Sequence, residues 1–581
     1  MFQPTSIAWA RWRTVLSEVS NTIQLRQSFR TRLWVGVLIF VGVAALTLTP
    51  IVFILLGSFD GAGPGDAVWR FGLRGWHDAF SNRSTLTSIG YSFLLSLRCL
   101  IGLPVAFFIS WLLVRVRIPM RGLIEFCLWT AYFLPDLPLA ISWILLLDPH
   151  YGLINQYLQV LGLKVNIFSV YGIIWVHLTA STIPVMTILL TPALRQMEAS
   201  FEEAARVCGA GTFKAFKTVL IPVLAPAILT VLLAGLIRSL EAFQIEQLLG
   251  TPNGIYVFAT RIYDLIQGEP PLFPQAMALS TLFLGILFVL ALMYQHFTAK
   301  RHFATITGHS SSFRPVEIGK WKWMISAFLL LFIIISVILP LLVLILGSLM
   351  RLFGHFNVST PFTTWHWILV WNDPVFLLAT RNSFVLAIVT AALALVLYAP
   401  LGYVLARGRI VAQSALNVLV WLPWAVPGLL LGLAFLWLFL SADILSPLYG
   451  TFGGLSLVLL IKEMPIGVHM TRTAFNQIDE ELEHAAEVCG SGWFGTYRRI
   501  VLPLIAPMLV TVALIVFMAA MRDISAIVLL SAASTRTLAL LMMEYSMGGQ
   551  MEPASIIGLL LSIFGIMIAL LCRRRLRSVE T

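Results

Sequence analysis

At 581 residues, 59% hydrophobic and 11% charged, with a mean hydropathy of +0.90, the chain falls well below the charged fraction of about 25% typical of soluble domains, which excludes an ordinary soluble protein. The net charge of +11 is not gathered into a basic domain: no polar interval exceeds roughly 30 residues, short of the roughly 50 an independent domain needs, which excludes an appended catalytic domain and argues against nucleic-acid binding. Chemistry then belongs to partners or to the inside of a lipid bilayer.

In chain order, residues 1–32 read as a polar cytoplasmic segment, without the short apolar core and small-residue cleavage site of a secretory leader. Apolar runs of about 20 residues then predict spans at 33–57, 89–114, 123–147, 169–192, 218–240, 275–297, 323–348, 381–405, 414–440, 454–475, 501–521 and 553–572. Prolines make the third, fourth, ninth and tenth the least like straight helices. The expected fold class is an all-α polytopic membrane protein of about 12 transmembrane helices. Its expected organisation is a first half (33–297), a basic linker (298–322), a second half (323–572) and a basic tail (573–581).

Most of the 38 Lys and Arg residues fall on one side if the chain starts inside: the N-terminal segment, the loops after spans two, four, eight and ten, the linker and the tail. Short basic loops stay in the cytoplasm, so both termini are expected there. An even number of spans per half makes the halves parallel repeats, related by an axis along the membrane normal.

The loops after the fourth and tenth spans are two versions of one stretch. Adding 281 to each residue number carries Ala204, Ala205, Cys208, Gly209, Gly211, Pro222 and Pro226 onto Ala485, Ala486, Cys489, Gly490, Gly492, Pro503 and Pro507 without a gap. In the first copy, Glu198, Glu202 and Glu203 precede Ala204-Ala205, acidic residues early and good helix formers centrally, which predicts a short helix over 197–207. Gly209 and Gly211 stop it, and a second amphipathic piece leads into Pro222. Small alanines at the centre admit close approach by another protein. Cys208 and Cys489 complete no ligand spacing and are expected to be small residues packing each loop helix.

Ionisable residues also fall within or beside the spans: Arg98, Asp136, Arg238, Glu241, Lys462, Glu463, Arg522 and Asp523. Such groups are costly in a bilayer and usually face the bundle interior or a water-filled cavity. Asp136, Glu241, Glu463 and Asp523 are therefore the candidate pathway residues. The alternative is local pairing, Arg238 with Glu241 at i and i+3, or Lys462 and Glu463 bonding to carbonyls freed near Pro465. Met542, Met543, Met547 and Met551 read as packing rather than metal ligands.

At the duplicated loops the chain resembles the permease subunits of binding-protein-dependent ABC importers, whose loop reads Glu-Ala-Ala, three residues, Gly, nine residues, Ile-x-Leu-Pro. The first copy has Glu203-Ala204-Ala205, Gly209 and Val219-x-Ile221-Pro222; the second has His484-Ala485-Ala486, Gly490 and Ile500-x-Leu502-Pro503. The second copy departs at His484, with Glu483 one position earlier. The resemblance implies a type I importer-like fold in the bacterial inner membrane and loops that are coupling helices for a cytoplasmic ATPase. No nucleotide-binding Gly-x-x-x-x-Gly-Lys-Ser/Thr loop occurs; Gly319-Lys320 runs on to Trp321. Hence the chain is expected to be no enzyme and to hold no cofactor, with ATP and Mg on two copies of a separate ATPase subunit, and one extracytoplasmic binding protein delivering the substrate. The fused form, Leu422-Pro423-Trp424-Ala425-Val426-Pro427-Gly428-Leu429, Ser239-Leu240-Glu241-Ala242-Phe243 and Leu249-Gly250-Thr251-Pro252 resemble the ferric-iron group; thiamine, aminoethylphosphonate, sugar-phosphate and polyamine importers are the alternatives. From another class, a secondary transporter of the major-facilitator type shares six plus six spans, but its signature lies between spans two and three, whereas the repeat here is strongest between spans four and five.

Overall fold

The computed structural model describes residues 37–60, 70–197, 207–209, 211, 214, 216–299, 317–408 and 413–580. Among these, nine helices are long and apolar enough to cross a membrane, and up to twelve if each of three broken pairs is one span. All twelve predicted spans have a counterpart. Outside the helices, two isolated antiparallel bridges, Asp60 with Phe71 and Met350 with Phe362, each lie just after the first span of a half.

Proline decides where helices break. The third span divides into Arg121–Phe133 and Asp136–Leu147 at an angle of 103°, with Pro135 in extended geometry between them. The ninth breaks likewise before Gly428, at Pro427. The tenth, expected to be irregular, is one helix, Phe452–Asn476, with Pro465 inside it. The eleventh, not among the spans set apart for their prolines, bends by 73° between Trp493–Leu504 and Ala506–Arg522. In four places a proline is absorbed instead: five-residue π-helical turns at Leu178–Thr182, Phe216–Leu220, Ile334–Ile338 and Tyr497–Val501 run directly into α-segments with proline in the first two positions. A proline ring collides with the carbonyl four residues back, and a π-turn shifts that carbonyl by one place.

The chain forms two compact units. One takes in Ala391–Trp424, Leu460–Val516 and the described residues up to Pro50; the other takes in Ile51–Thr390, Ala425–Leu459 and Phe517 onward. In the first, Val43 is buried among Tyr398, Leu401, Leu416, Leu460, Met464 and Val516. In the second, Leu329 and Ile333 are buried among Leu112, Leu113, Ile124, Leu190 and Leu224, and Val337 among Ala131, Leu139 and Ala180. The first helix of each half therefore packs on spans of the other half, so neither half buries its apolar surface alone.

Candidate functional site

The second loop is described throughout. Asp479 starts its helix, Glu480–Val488, by accepting a hydrogen bond from the Glu481 amide at 3.1 Å, and Glu480, Glu481 and Glu483 fill the first turn, where carboxylates complement the helix dipole. The helix ends in a glycine-dependent turn. Gly490 has φ of +84°; its amide donates to the Glu487 carbonyl at 3.0 Å and the Ser491 amide to the Ala486 carbonyl at 3.0 Å, the paired bonds of a left-handed C-terminal cap. Trp493–Thr496 and the π-turn Tyr497–Val501 then lead to Pro503.

This loop is fastened underneath and bare on top. The Tyr403 hydroxyl donates to Glu483 Oε2 at 2.6 Å, and Arg407 Nε to Glu483 Oε1 at 3.0 Å. Arg407 also reaches Glu480 Oε1 at 3.3 Å, the Phe475 carbonyl at 3.0 Å and the Ile478 carbonyl. Trp493 Nε1 donates to the Tyr403 hydroxyl at 3.1 Å, and Tyr403, Phe475, Trp493 and Tyr497 form one aromatic cluster. Ala486 is buried, whereas Leu482, His484, Ala485 and Val488 face outward. Val488 is 88% exposed, an apolar side chain that its own chain leaves uncovered.

Of the first loop, Glu203, Ala204 and Ala205 lie outside the described residues, and the helix predicted over 197–207 lies largely there too. What is described matches the second copy. Gly209 has φ of +80°, Val207 is 88% exposed, and the π-turn Phe216–Leu220 before Pro222 stands 281 residues ahead of Tyr497–Val501. Cys208 and Cys489 are exposed rather than packed as expected; Cys489 is the C-terminal cap residue of Glu480–Val488.

The four candidate pathway carboxylates lie in different settings. Glu241 lies 3.6 Å from Arg238 on its own helix, the pairing foreseen as the alternative. Asp523 is buried and accepts from the Ala526 amide at 2.8 Å. Asp136 opens the helix that follows the Pro135 break, and Glu463 is half-buried on Phe452–Asn476. Arg522 donates to the Tyr132 carbonyl at 2.7 Å and the Leu134 carbonyl at 3.3 Å, acceptors freed by that break. No group of three or more His, Cys, Asp and Glu side chains that could hold a metal ion occurs among the described residues.

Sequence reasoning missed a buried ionic cluster in the first half. Glu246 Oε1 is 2.7 Å from His177 Nε2 and 3.7 Å from Arg98 Nη1; Arg98 also donates to the carbonyls of Leu95 at 3.0 Å and Ser239 at 3.2 Å. All three are at least 95% buried, and Glu246 Oε2 and Arg98 Nε have no hydrogen-bond partner. A carboxylate at Glu246, just before the apolar Leu248-Leu249, was the available signal. At the 281-residue spacing His177 and Glu246 fall on Val458 and Ile527, so the cluster belongs to one half.

Residues 100–303 and 398–578 match the family described as "Binding-protein-dependent transport system inner membrane component". Among curated proteins, the ferric transport system permease protein FbpB of Actinobacillus pleuropneumoniae is 25% identical over 367 residues, 61% of this chain and 51% of that one. The Fe(3+)-transport system permease protein FbpB 2 of Haemophilus influenzae is 23% identical over 473 residues, 80% of this chain and 85% of that one. The molybdate/tungstate transport system permease protein WtpB of Pyrococcus abyssi is 30% identical over 174 residues, 30% of this chain and 68% of that one. The chain thus spans about half the length of the first of these relatives.

Proposed function

The chain belongs to the binding-protein-dependent transport system inner membrane components, and from that premise we propose that it is a two-repeat membrane-spanning part of an ATP-driven importer, moving a small solute inward by alternating access. The observation that carries this reading is the loop present twice: the same positive-φ glycine, the same π-turn before proline and the same bare valine, at Val207 and Val488. Each loop docks one cytoplasmic ATPase subunit, which holds the ATP and Mg. Two loops in one chain call for two such subunits. As these close on ATP they draw the loops together and rock the six-helix repeats between inward-facing and outward-facing states. One extracytoplasmic binding protein presents the substrate.

The substrate proposed is ferric iron, supported by relatives whose names carry that ion and whose matches extend over 61% and 80% of this chain. The molybdate/tungstate relative matches at higher identity but over a much shorter stretch. Purification of the tagged chain from its native membranes tests the machinery: two ATPase subunits per chain are expected, whereas a secondary transporter would bring none. Uptake of radioactive ferric iron and of molybdate, each with and without the chain, tests the cargo. Loss of molybdate uptake with iron uptake intact would overturn the ferric assignment.

A further inference from the structure

Resting on that reading, we propose that Arg115 and Arg407 are positioning residues, each tying one coupling loop to the second helix of its own half so that movement of the loop is carried into the membrane. Arg115 is the last residue of the helix over Arg83–Arg115, and Arg407 the last of Pro374–Arg407. Each reaches away from its own helix to the chain entering the loop. Arg115 Nη2 donates to the Met197 carbonyl at 3.0 Å, and Arg407 Nη2 to the carbonyls of Ile478 and of Phe475, the latter at 3.0 Å. Met197 and Ile478 are separated by the same 281 residues as the loops, so the two guanidiniums hold the same point. Between the arginines the spacing is 292, which conceals the correspondence from a gapless comparison.

Ordinary capping of a helix C-terminus by a nearby cation accounts for part of this. It does not account for the burial, since an exposed cation would serve and Arg115 is only 2% accessible, and withdrawing a guanidinium from water is costly. Nor does it account for Glu483. That carboxylate belongs to the loop helix itself, and Arg407 and Tyr403, both on Pro374–Arg407, hold its two oxygens. Force applied at the bare surface around His484 and Val488 therefore passes through Glu483 to the end of a spanning helix, without a flexible stretch in between. A planar five-donor guanidinium can make these bonds together, which a lysine ammonium cannot.

The experiment compares Arg407→Gln, Arg115→Gln, Arg407→Lys and Glu483→Gln with the parent chain, co-expressed with its ATPase in membrane vesicles. It reads ATPase subunits retained, ATP hydrolysed, and ions moved per ATP for whichever of ferric iron and molybdate the parent imports. Both arginine-to-glutamine variants are expected to keep their ATPases and to hydrolyse ATP while ions moved per ATP fall at least about fivefold, the low end of what coupling between sites is worth. Arg407→Lys is expected to fall with them, and Glu483→Gln to lie in between because the carbonyl bonds remain. If Arg407→Gln fails to insert, Arg407→Lys, which keeps charge and length, carries the comparison. Parental ions per ATP in the arginine variants would overturn the proposal; so would loss of ATPase binding in step with transport, which marks a docking contact. A parent that retains no ATPase would instead refute the importer reading.

Discussion

The two loops differ where one carries Glu203 and the other His484. His484 points outward, 3.8 Å from Glu487, whereas its neighbour Glu483 is turned inward onto Tyr403 and Arg407, so Glu483 is placed for support and not for contact with a partner. Glu203→Ala is expected to reduce ATPase retention more than His484→Ala does, by up to the 1.5–3 kcal/mol or so of a charged hydrogen bond. Glu483→Ala is expected to leave ATPase retention near the parent level while lowering transport, since both its oxygens are taken by Tyr403 and Arg407. Equal losses from Glu203→Ala and His484→Ala would remove the asymmetry. In the buried cluster, Glu246→Ala leaves Arg98 and His177 facing each other without their carboxylate, a change of about 3–5 kcal/mol. Glu246→Gln should cost less, and adding Arg98→Met to Glu246→Gln should recover part of the loss. Thermal unfolding of the purified chain in detergent reads all three; Glu246→Ala as stable as the parent would show that the cluster contributes nothing.

At the scale of elements, the glycine turn in each repeated loop depends on backbone angle and not on room. A side chain added at Gly209 or Gly490 meets nothing within 4 Å, yet φ is +80° and +84°, where a β-branched residue costs of order 1–3 kcal/mol. Gly490→Val is therefore expected to uncouple hydrolysis from transport with insertion intact, and Gly490→Asn, which tolerates that angle, to do so less. Equal activity in the two would rule out the turn as the cause. These glycines were legible because they act through their own backbone. Arg407 and Glu246 were not: their partners lie 76 and 69 residues away, and only the packed chain brings them together. Proline was legible in part. Pro135 and Pro427 end helices as expected, but Pro465 sits within one, and Pro222, Pro340 and Pro503 follow π-turns that no local pattern announced.

Across the whole molecule, the number and place of the spans were legible because the bilayer demands long apolar runs, while the exchange of first helices was not. Val43 and Leu329 look like any lipid-facing or core residue until the other half is packed against them. Fusion into one chain suits such an exchange, since helices that complete each other's halves stay at fixed stoichiometry. The orientation of this assembly can be tested with the protein's own thiols. Cys208 and Cys489 are exposed in the loops, whereas Cys99 and Cys572 are buried and Cys127 partly so. If basic loops are retained in the cytoplasm, a membrane-impermeant maleimide should leave Cys208 and Cys489 unlabelled in right-side-out vesicles and label both in inverted ones. A cysteine at Ser81, exposed at the other side of the second span, should give the opposite pattern, and one at Ser311 in the linker should follow the loops. Labelling of Cys489 with that of Ser81→Cys would place the loops outside, where no ATP is available, and the coupling assignment would fall with the topology.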